Sequence, residues 1–339
     1  MSFKPITVNK HFSFAGKQQK GFGLESVHGC NARCVFCAFG HYERQEVTNI
    51  FTGETWKKER KLMDWELIEA ICKRHQPDLF ILTVQGEPFL DTRIPEILEL
   101  SIKHNPSFQL AIFSNANLMT NKMLDKIIPN KHFRSINLSL NAITDETRMK
   151  VMGILYEKAK ENIIMFLEKR RECGRETQLH ATSSSFDEKQ DLRVGISFMA
   201  VHGIYKGELV SNLHEIDSFR EYWNRILREY HCNFDVGIFP AGNWGGAIPR
   251  EVICQEMKYV NPNGCGQWDC TGPSIDVDGQ IMLCCYNSRW SFGSCLDDEA
   301  MARWHNRREI LGVQGSILHA SSFCDNSSYR FVPTKWNEP

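Results

Sequence analysis

The 339-residue chain has no apolar run near the ~18 residues that a membrane-spanning helix requires, so no membrane partner is expected. Its first stretch, MSFKPITVNKHFSF, lacks the continuous apolar core and small-residue cleavage site of a secretory signal, and the expected location is cytoplasmic. An excess of positive charge is also missing. Forty Lys and Arg stand against 41 Asp and Glu, for a net charge of -1, which argues against nucleic-acid binding by bulk electrostatics. The basic run Lys57-Lys58-Glu59-Arg60-Lys61 is short and interrupted by an acid, and it reads as a solvated loop or helix face. No internal repeat or long low-complexity tract breaks the chain. With 42% hydrophobic residues it can bury a large core, in one big domain or two medium ones.

Cysteine, by contrast, is plentiful. Thirteen is an odd number, and in a reducing compartment it points to metal or cluster ligation rather than to a disulfide framework. Cys30, Cys34 and Cys37 form one tight group with no fourth cysteine close by. Cys72, Cys173 and Cys232 are scattered; Cys254, Cys265, Cys270, Cys284, Cys285, Cys295 and Cys324 crowd the last quarter. Two separated cysteine-rich regions suggest two places where metal is held. Cys72 falls on the apolar face of a helical pattern and is expected in the core; Cys173 and Cys232 suggest no role.

Strand and helix patterns alternate from residue 20 onward. GFGLESV reads as a strand feeding the first cysteine group. DWELIEAICKRH is an amphipathic helix with an Asp cap, and LFILTV a buried strand. RIPEILELSIKH, TNKMLDKII, YEKAKENIIMFLEKRRE and DSFREYWNRILREY read as helices. FQLAIFS, SINLSL, VGISFMAV and FDVGIFP read as the intervening strands, and ATSSSFDEKQDLR as a polar loop. Six strand–helix repeats with nearly continuous apolar strands predict a parallel sheet covered by helices, either doubly wound or a barrel, with active residues in loops at the strands' carboxyl ends. Past Gly242 the pattern turns to short Gly- and Cys-rich segments. The expected organisation is an extension over 1–19, a first domain over 20–240 and a second over 241–339.

Three thiolates spaced CxxxCxxC can hold three corners of a four-iron, four-sulfur cube and leave the fourth iron open. Cys30-Asn31-Ala32-Arg33-Cys34-Val35-Phe36-Cys37 resembles the signature of the radical S-adenosylmethionine (SAM) superfamily. The resemblance implies a partial (β/α)6 barrel of α/β class, a [4Fe-4S] cluster on Cys30, Cys34 and Cys37, and S-adenosylmethionine as the ligand of the open iron. It also implies reductive cleavage to a 5'-deoxyadenosyl radical, with a flavodoxin- or ferredoxin-type electron donor. Gln85-Gly86-Glu87-Pro88 is similar to the family's GGEP motif, with Gln in place of the first Gly. Ser114-Asn115-Ala116-Asn117 is similar to its TNG segment and Ser139-Leu140-Asn141 to its SLD segment, and Asn212 sits where members carry an Asn. By this resemblance the cofactor-binding residues are Phe36, Gly86, Glu87, Pro88, Asn115, Ser139 and Asn212. Other readings stand beside these: a zinc site completed by His28 or His41, a turn role for Glu87, helix capping for Asn115, Ser139 and Asn212, and core packing for Phe36.

The segment from Cys265 to Cys295 resembles the SPASM and twitch extensions of that superfamily, a small α+β domain. Its centre, SIDVDGQIML, is a hairpin with Asp-Gly at the turn. The resemblance implies at least one auxiliary iron–sulfur cluster on Cys270, Cys284 and Cys324, completed by Cys265, Cys295 or a non-cysteine. The usual closing CxxC is reduced to Cys324-Asp325-Asn326-Ser327, which sets this chain apart. A zinc ribbon uses similar ligand pairs and is the competing reading. An auxiliary cluster beside a substrate radical implies net oxidation, by dehydrogenation or cross-linking, of a small molecule or a peptide. Asp276, Asp278, His180 and Tyr286 are candidates for the base. Only 29 residues precede Cys30, fewer than a fused winged-helix peptide-recognition domain needs. A peptide maturase or epimerase is one alternative; a non-catalytic barrel with zinc at both cysteine regions is another.

Overall fold

The computed structural model describes residues 21–41, 46–83, 85–176, 191–232, 235–241, 248, 259–260, 272–284, 287–310, 313–314, 317–318 and 330–331. The early strands are β1 (Gly21–Leu24), β2 (Val27–His28), β3 (Glu46–Asn49), β4 (Thr55–Lys57) and β5 (Lys61–Leu62). The middle of the chain carries β6 (Leu79–Leu82), β7 (Gln109–Ser114), β8 (Phe133–Ser139), β9 (Arg193–Ala200), β10 (His202–Tyr205), β11 (Glu208–Ser211) and β12 (Gly237–Pro240). Then come β13 (Tyr259–Val260), β14 (Ser274–Ile275), β15 (Gln280–Cys284) and β16 (Asn287–Ser294). The helices are α1 (Ala38–His41), α2 (Trp65–His75), α3 (Ile94–His104), α4 (Asn121–Ile127), α5 (Asp145–Met152), α6 (Tyr156–Glu172), α7 (Ile216–Glu229) and α8 (Asp298–His305).

Eleven strands form one sheet in the order β12-β9-β8-β7-β6-β1-β14-β15-β16-β3-β4. The run from β12 to β1 is parallel throughout. Those six strands follow each other in sequence order with helices between them, which is the α/β arrangement of a partial (β/α)6 barrel. The C-terminal hairpin continues the same sheet: β14 lies parallel to β1, with Leu24 opposite Ile275, and β15 turns back against β14. Asp276 to Gly279 make that turn, with Gly279 at φ 76.

Local chemistry accounts for the helix boundaries. Thr120 and Thr144 cap α4 and α5 through their hydroxyls, which accept from the amides of Met123 and Thr147. Gly153, at φ 70, closes α5. On α2, Ile68, Ile71 and Cys72 turn inward, so Cys72 is a core residue as its position in the helical pattern predicts.

Burial alternates along the parallel strands rather than running continuously. Phe22, Leu24, Phe80, Leu82, Ile112, Ile136, Leu138, Ile196 and Phe198 join one large core with the helices' Ile71, Ile97, Leu124, Ile163, Phe166 and Trp223. The other face carries Gly23, Ile81, Asn137, Ser139, Gly195 and Ser197, all half-buried, and Phe113 is 43% exposed. Six strands do not wrap far enough to fill their own interior with side chains, so this inner face stays accessible. Among the described residues no helix is long and apolar enough to cross a membrane.

Candidate active site at the carboxyl end of the sheet

The loop after β1 and β2 holds Cys30, Cys34 and Cys37, all half-buried and in no disulfide. Two straps fix it. The amides of Arg33 and Val35, flanking Cys34, donate to the carbonyls of Met152 (2.7 Å) and Val151 (2.9 Å) at the end of α5. On the other side the Glu87 amide donates to Gly29 O at 2.8 Å. That second contact needs a residue without a side chain just before Glu87. A Cβ on Gly86, at φ +125, would stand 2.5 Å from Gly29 O.

The thiols sense one another. Burial pushes the Cys30 thiol up to about 12, and the neighbouring Glu87 and Cys37 add to the rise. Cys34 is raised for the same first reason, with Cys37 and Cys30 adding to it, while Arg148 draws it down. Such thiols stay protonated until a metal takes the proton's place. Among the described residues, no three His, Cys, Asp or Glu side chains form a ready-made site for a single ion. A single ion draws its ligands to one point, whereas a four-iron cube binds each thiolate through a separate iron. Three half-buried thiols on one loop, none in a disulfide, suit the donor set of such a cube.

Asn115 joins the motifs that the sequence separates. Its amide donates to Glu87 Oε2 at 2.7 Å, its side-chain nitrogen donates to Asn31 Oδ1 at 2.7 Å and lies 3.9 Å from Cys30 Sγ, and its carbonyl accepts from Arg148 at 2.6 Å. Glu87 is 1% exposed. Its Oε1 accepts from Ser114 Oγ (2.7 Å) and from the Phe89 amide (3.2 Å), opening the turn in which Pro88 is buried. Burial raises the Glu87 carboxyl, and these three donors pull it back down.

Ser139, at the end of β8, faces Ser197 Oγ at 3.3 Å on the accessible inner face. Phe36 packs in a small core with Ala32, Val35, Val151, Met152 and Val210, directly beside Cys30 and Cys34. Asn212 stands apart in its bonding. Its Oδ1 accepts from the Val201 amide and its Nδ2 donates to Asn141 O and Met199 O, each at 2.8 Å, so its side-chain amide ties the end of β9 to the loop after β8.

In the second cysteine region, Cys284 ends β15. Cys295 is fully buried, and its carbonyl accepts from His75 Nε2 at 2.8 Å. Cys265, Cys270 and Cys324 lie outside the described residues, as do His180 and Tyr286. Of the two remaining candidate bases, Asp278 pairs with Lys61 at 2.6 Å and Asp276 is wholly buried.

Two features were not read from the sequence. The first is Arg148, 0% exposed, which donates to Asn117 Oδ1 and to the carbonyls of Leu155, Asn115 and Ser139. Burial lowers its pKa to about 10, so it stays charged at neutral pH. Its available signal was an arginine three and four residues before Val151 and Met152, on the buried face of a helix. The second corrects the reading of the basic run as solvated. Lys58 is 1% exposed, 2.7 Å from Glu25 Oε2 and 3.5 Å from Asp276 Oδ2, while Glu25 Oε1 meets His28 Nδ1 at 2.7 Å. Only the flanking Lys57, Glu59, Arg60 and Lys61 are exposed. The cause is β14, which brings Asp276 beside Glu25 at the end of β1 and creates a buried demand for one cation.

Residues 24–177 match the family model of the Radical SAM superfamily. The chain is also similar to three solved structures of low identity. BtrN in complex with AdoMet and 2-DOIA is 13% identical, with a TM-score of 0.45 over 86% of this chain and 83% of that one. Native anSMEcpe with bound AdoMet is 14% identical, with a TM-score of 0.48 over 83% and 80%. Streptococcus suis SuiB bound to precursor peptide SuiA is 15% identical, with a TM-score of 0.44 over 81% and 60%. No curated protein sequence matches the chain.

Proposed function

We propose that this chain, which carries a Radical SAM superfamily domain over residues 24–177, is an enzyme that binds a [4Fe-4S] cluster on Cys30, Cys34 and Cys37 and S-adenosylmethionine beside it. The observation that carries this reading is the meeting of three motifs at Asn115: its side chain is beside Cys30 and Asn31, and its amide is on Glu87. When bound, the cluster and S-adenosylmethionine supply one electron and a 5'-deoxyadenosyl radical that removes a hydrogen atom from the substrate. The chain's own residues bind and orient. Glu87 offers a buried acceptor for the cofactor's amino group. Gly86 lets the turn approach the cysteine loop, with Pro88 fixing it. Ser139 stands on the accessible inner face within reach of a ribose, Phe36 walls the loop against water, and Asn212 holds the adjoining strand end.

In this reading the substrate is a small molecule or a peptide reached from the open inner face, and the electron donor is of flavodoxin or ferredoxin type. Cys270, Cys284 and Cys324, with Cys265, Cys295 or a non-cysteine, would hold at least one auxiliary cluster, which would supply an electron acceptor so that the net change would be an oxidation. The test is anaerobic reconstitution. The expected result is a brown protein with more than one cube's worth of iron per chain and 5'-deoxyadenosine formed on reduction with S-adenosylmethionine. Replacing Cys30, Cys34 and Cys37 with Ala should remove one cube and all the 5'-deoxyadenosine. Colourless protein holding stoichiometric zinc overturns the proposal in favour of a metal-bound scaffold.

A further inference from the structure

Arg148 is a buried cation that forms no ion pair among the described residues. Every hydrogen bond it makes goes to a neutral oxygen: Asn117 Oδ1 at 2.8 Å and the carbonyls of Leu155 (2.8 Å), Asn115 (2.6 Å) and Ser139 (3.4 Å). Its Nε is buried and has no hydrogen-bond partner among the described residues. A guanidinium with no exposed surface is costly to place unless a negative charge nearby repays the lost hydration. The acidic group that acts on it most is the Cys34 thiol, followed by Tyr156. The two carboxylates that reach it, Glu87 and Asp145, are engaged elsewhere, Glu87 with Ser114, Phe89 and Asn115, and Asp145 with the amides of Tyr156 and Glu157.

The place of Arg148 in the fold says what the missing anion is. It lies on α5, one turn before Val151 and Met152, whose carbonyls hold the amides on either side of Cys34. It also grips the carbonyl of Asn115, whose side chain faces Cys30. Helix, loop and Asn115 are therefore tied together by hydrogen bonds, with the guanidinium close enough to Cys34 to act on its thiol. We propose that Arg148 is the fixed countercharge of the cysteine triad: a positioning residue whose buried positive charge stabilises the added electron of the cluster held there. The inference rests on the cluster reading above, and it concerns the ease of reduction rather than the presence of iron. A cluster bound through three thiolates gains negative charge when reduced. A cation held in a low-dielectric wall favours that reduced state, with no rearrangement when the electron arrives.

The test is the midpoint potential of the three-cysteine cluster, read by anaerobic redox titration with electron paramagnetic resonance, in reconstituted wild type and three variants. Arg148→Met removes the charge. Arg148→Lys keeps it. Asn117→Asp leaves the arginine in place but gives it a carboxylate partner. At a fixed potential near the midpoint, Arg148→Met should lower the ratio of reduced to oxidised cluster about tenfold, which is 59 mV for one electron. Asn117→Asp should move it the same way by less, and Arg148→Lys should stay near wild type. Asn117→Asp also decides the matter should the methionine variant fail to fold. Unchanged potentials in Asn117→Asp, and in Arg148→Met where it folds, overturn the inference while leaving the cluster reading intact. Wild-type protein that takes up no iron at Cys30, Cys34 and Cys37 overturns both.

Discussion

Asp276 is predicted to weaken the fold at neutral pH, and replacing it with Asn should reveal by how much. The carboxyl is wholly buried; among the described residues its Oδ2 has no hydrogen-bond partner, and its one cation, Lys58, is 3.5 Å away and bonded to Glu25 instead. Burial is the main reason its pKa rises from 3.8 to about 6, with Lys58 pulling it down and Glu25 pushing it up. The folded chain thus holds this proton more tightly than the unfolded chain does, so stability falls as pH rises through the window between about 4 and 6 and then levels off. From 3.8 to about 6, at about 1.4 kcal/mol per pH decade, the effect comes to about 3 kcal/mol. Asn at the same position has no proton to lose, and its side-chain oxygen keeps the bonds that Asp276 Oδ1 accepts from the amides of Asp278 and Gln280. Urea unfolding of wild type and Asp276→Asn, followed by tryptophan fluorescence at half-unit steps from pH 4 to 7.5, isolates the effect, because every other titrating group is common to both. The variant's advantage should grow by about 2 kcal/mol between pH 4 and 6.5, the remainder lying below pH 4, and hold nearly steady above. A difference that is flat across this range, or that shrinks with rising pH, would refute the reasoning.

Two further predictions come from the same joint and from the turn that docks on it. Lys58→Met removes the lysine that buried Glu25 and Asp276 share, leaving Glu25 only His28 and Asp276 no cation among the described residues, and should cost about 3–5 kcal/mol at pH 7.5, with much of the loss recovered near pH 5 as Asp276 takes up a proton; thermal melts at the two pH values check this. Gly86→Ala puts a Cβ 2.5 Å from Gly29 O at a backbone angle that suits glycine, so the cysteine loop must move. Iron uptake on reconstitution should fall severalfold with the circular dichroism spectrum unchanged, and full iron loading would show that the loop can adapt.

What the sequence made legible followed from local pattern. The helix YEKAKENIIMFLEKRRE is α6 from end to end, and the strand expected at VGISFMAV is β9 shifted by one residue. Both are long and strongly patterned, and their own spacing decides their form. The loops after β6, β7 and β8 were equally readable, because a strand's end fixes where its next few side chains go. The short strands β3, β4 and β5 and the hairpin of β10 and β11 were not. They contain two to four residues each and owe their form to partners rather than to a period of their own.

The candidate site divides along the same line. Cys30, Glu87 and Asn115 could be singled out because each sits in a compact motif, yet nothing in their spacing hints that one asparagine would meet the other two. Lys58 and Arg148 stayed hidden for a stronger reason. Whether a charged side chain is solvated or buried depends on oxygens supplied from elsewhere: Glu25 is 33 residues before Lys58, and the Asn115 carbonyl is 33 residues before Arg148. A motif can report which groups are able to touch a cofactor, since these must stand at fixed spacing along a loop. The groups that balance charge from behind act through space, tolerate many positions along the chain, and leave no spacing to recognise. Lys58 also shows that a lysine in a basic run can be the buried partner of two acids, so its neighbours' solvation says little about its own. Arg148 is buried as fully near Cys34, held by neutral oxygens instead of acids, where the sequence shows only an arginine within a helix.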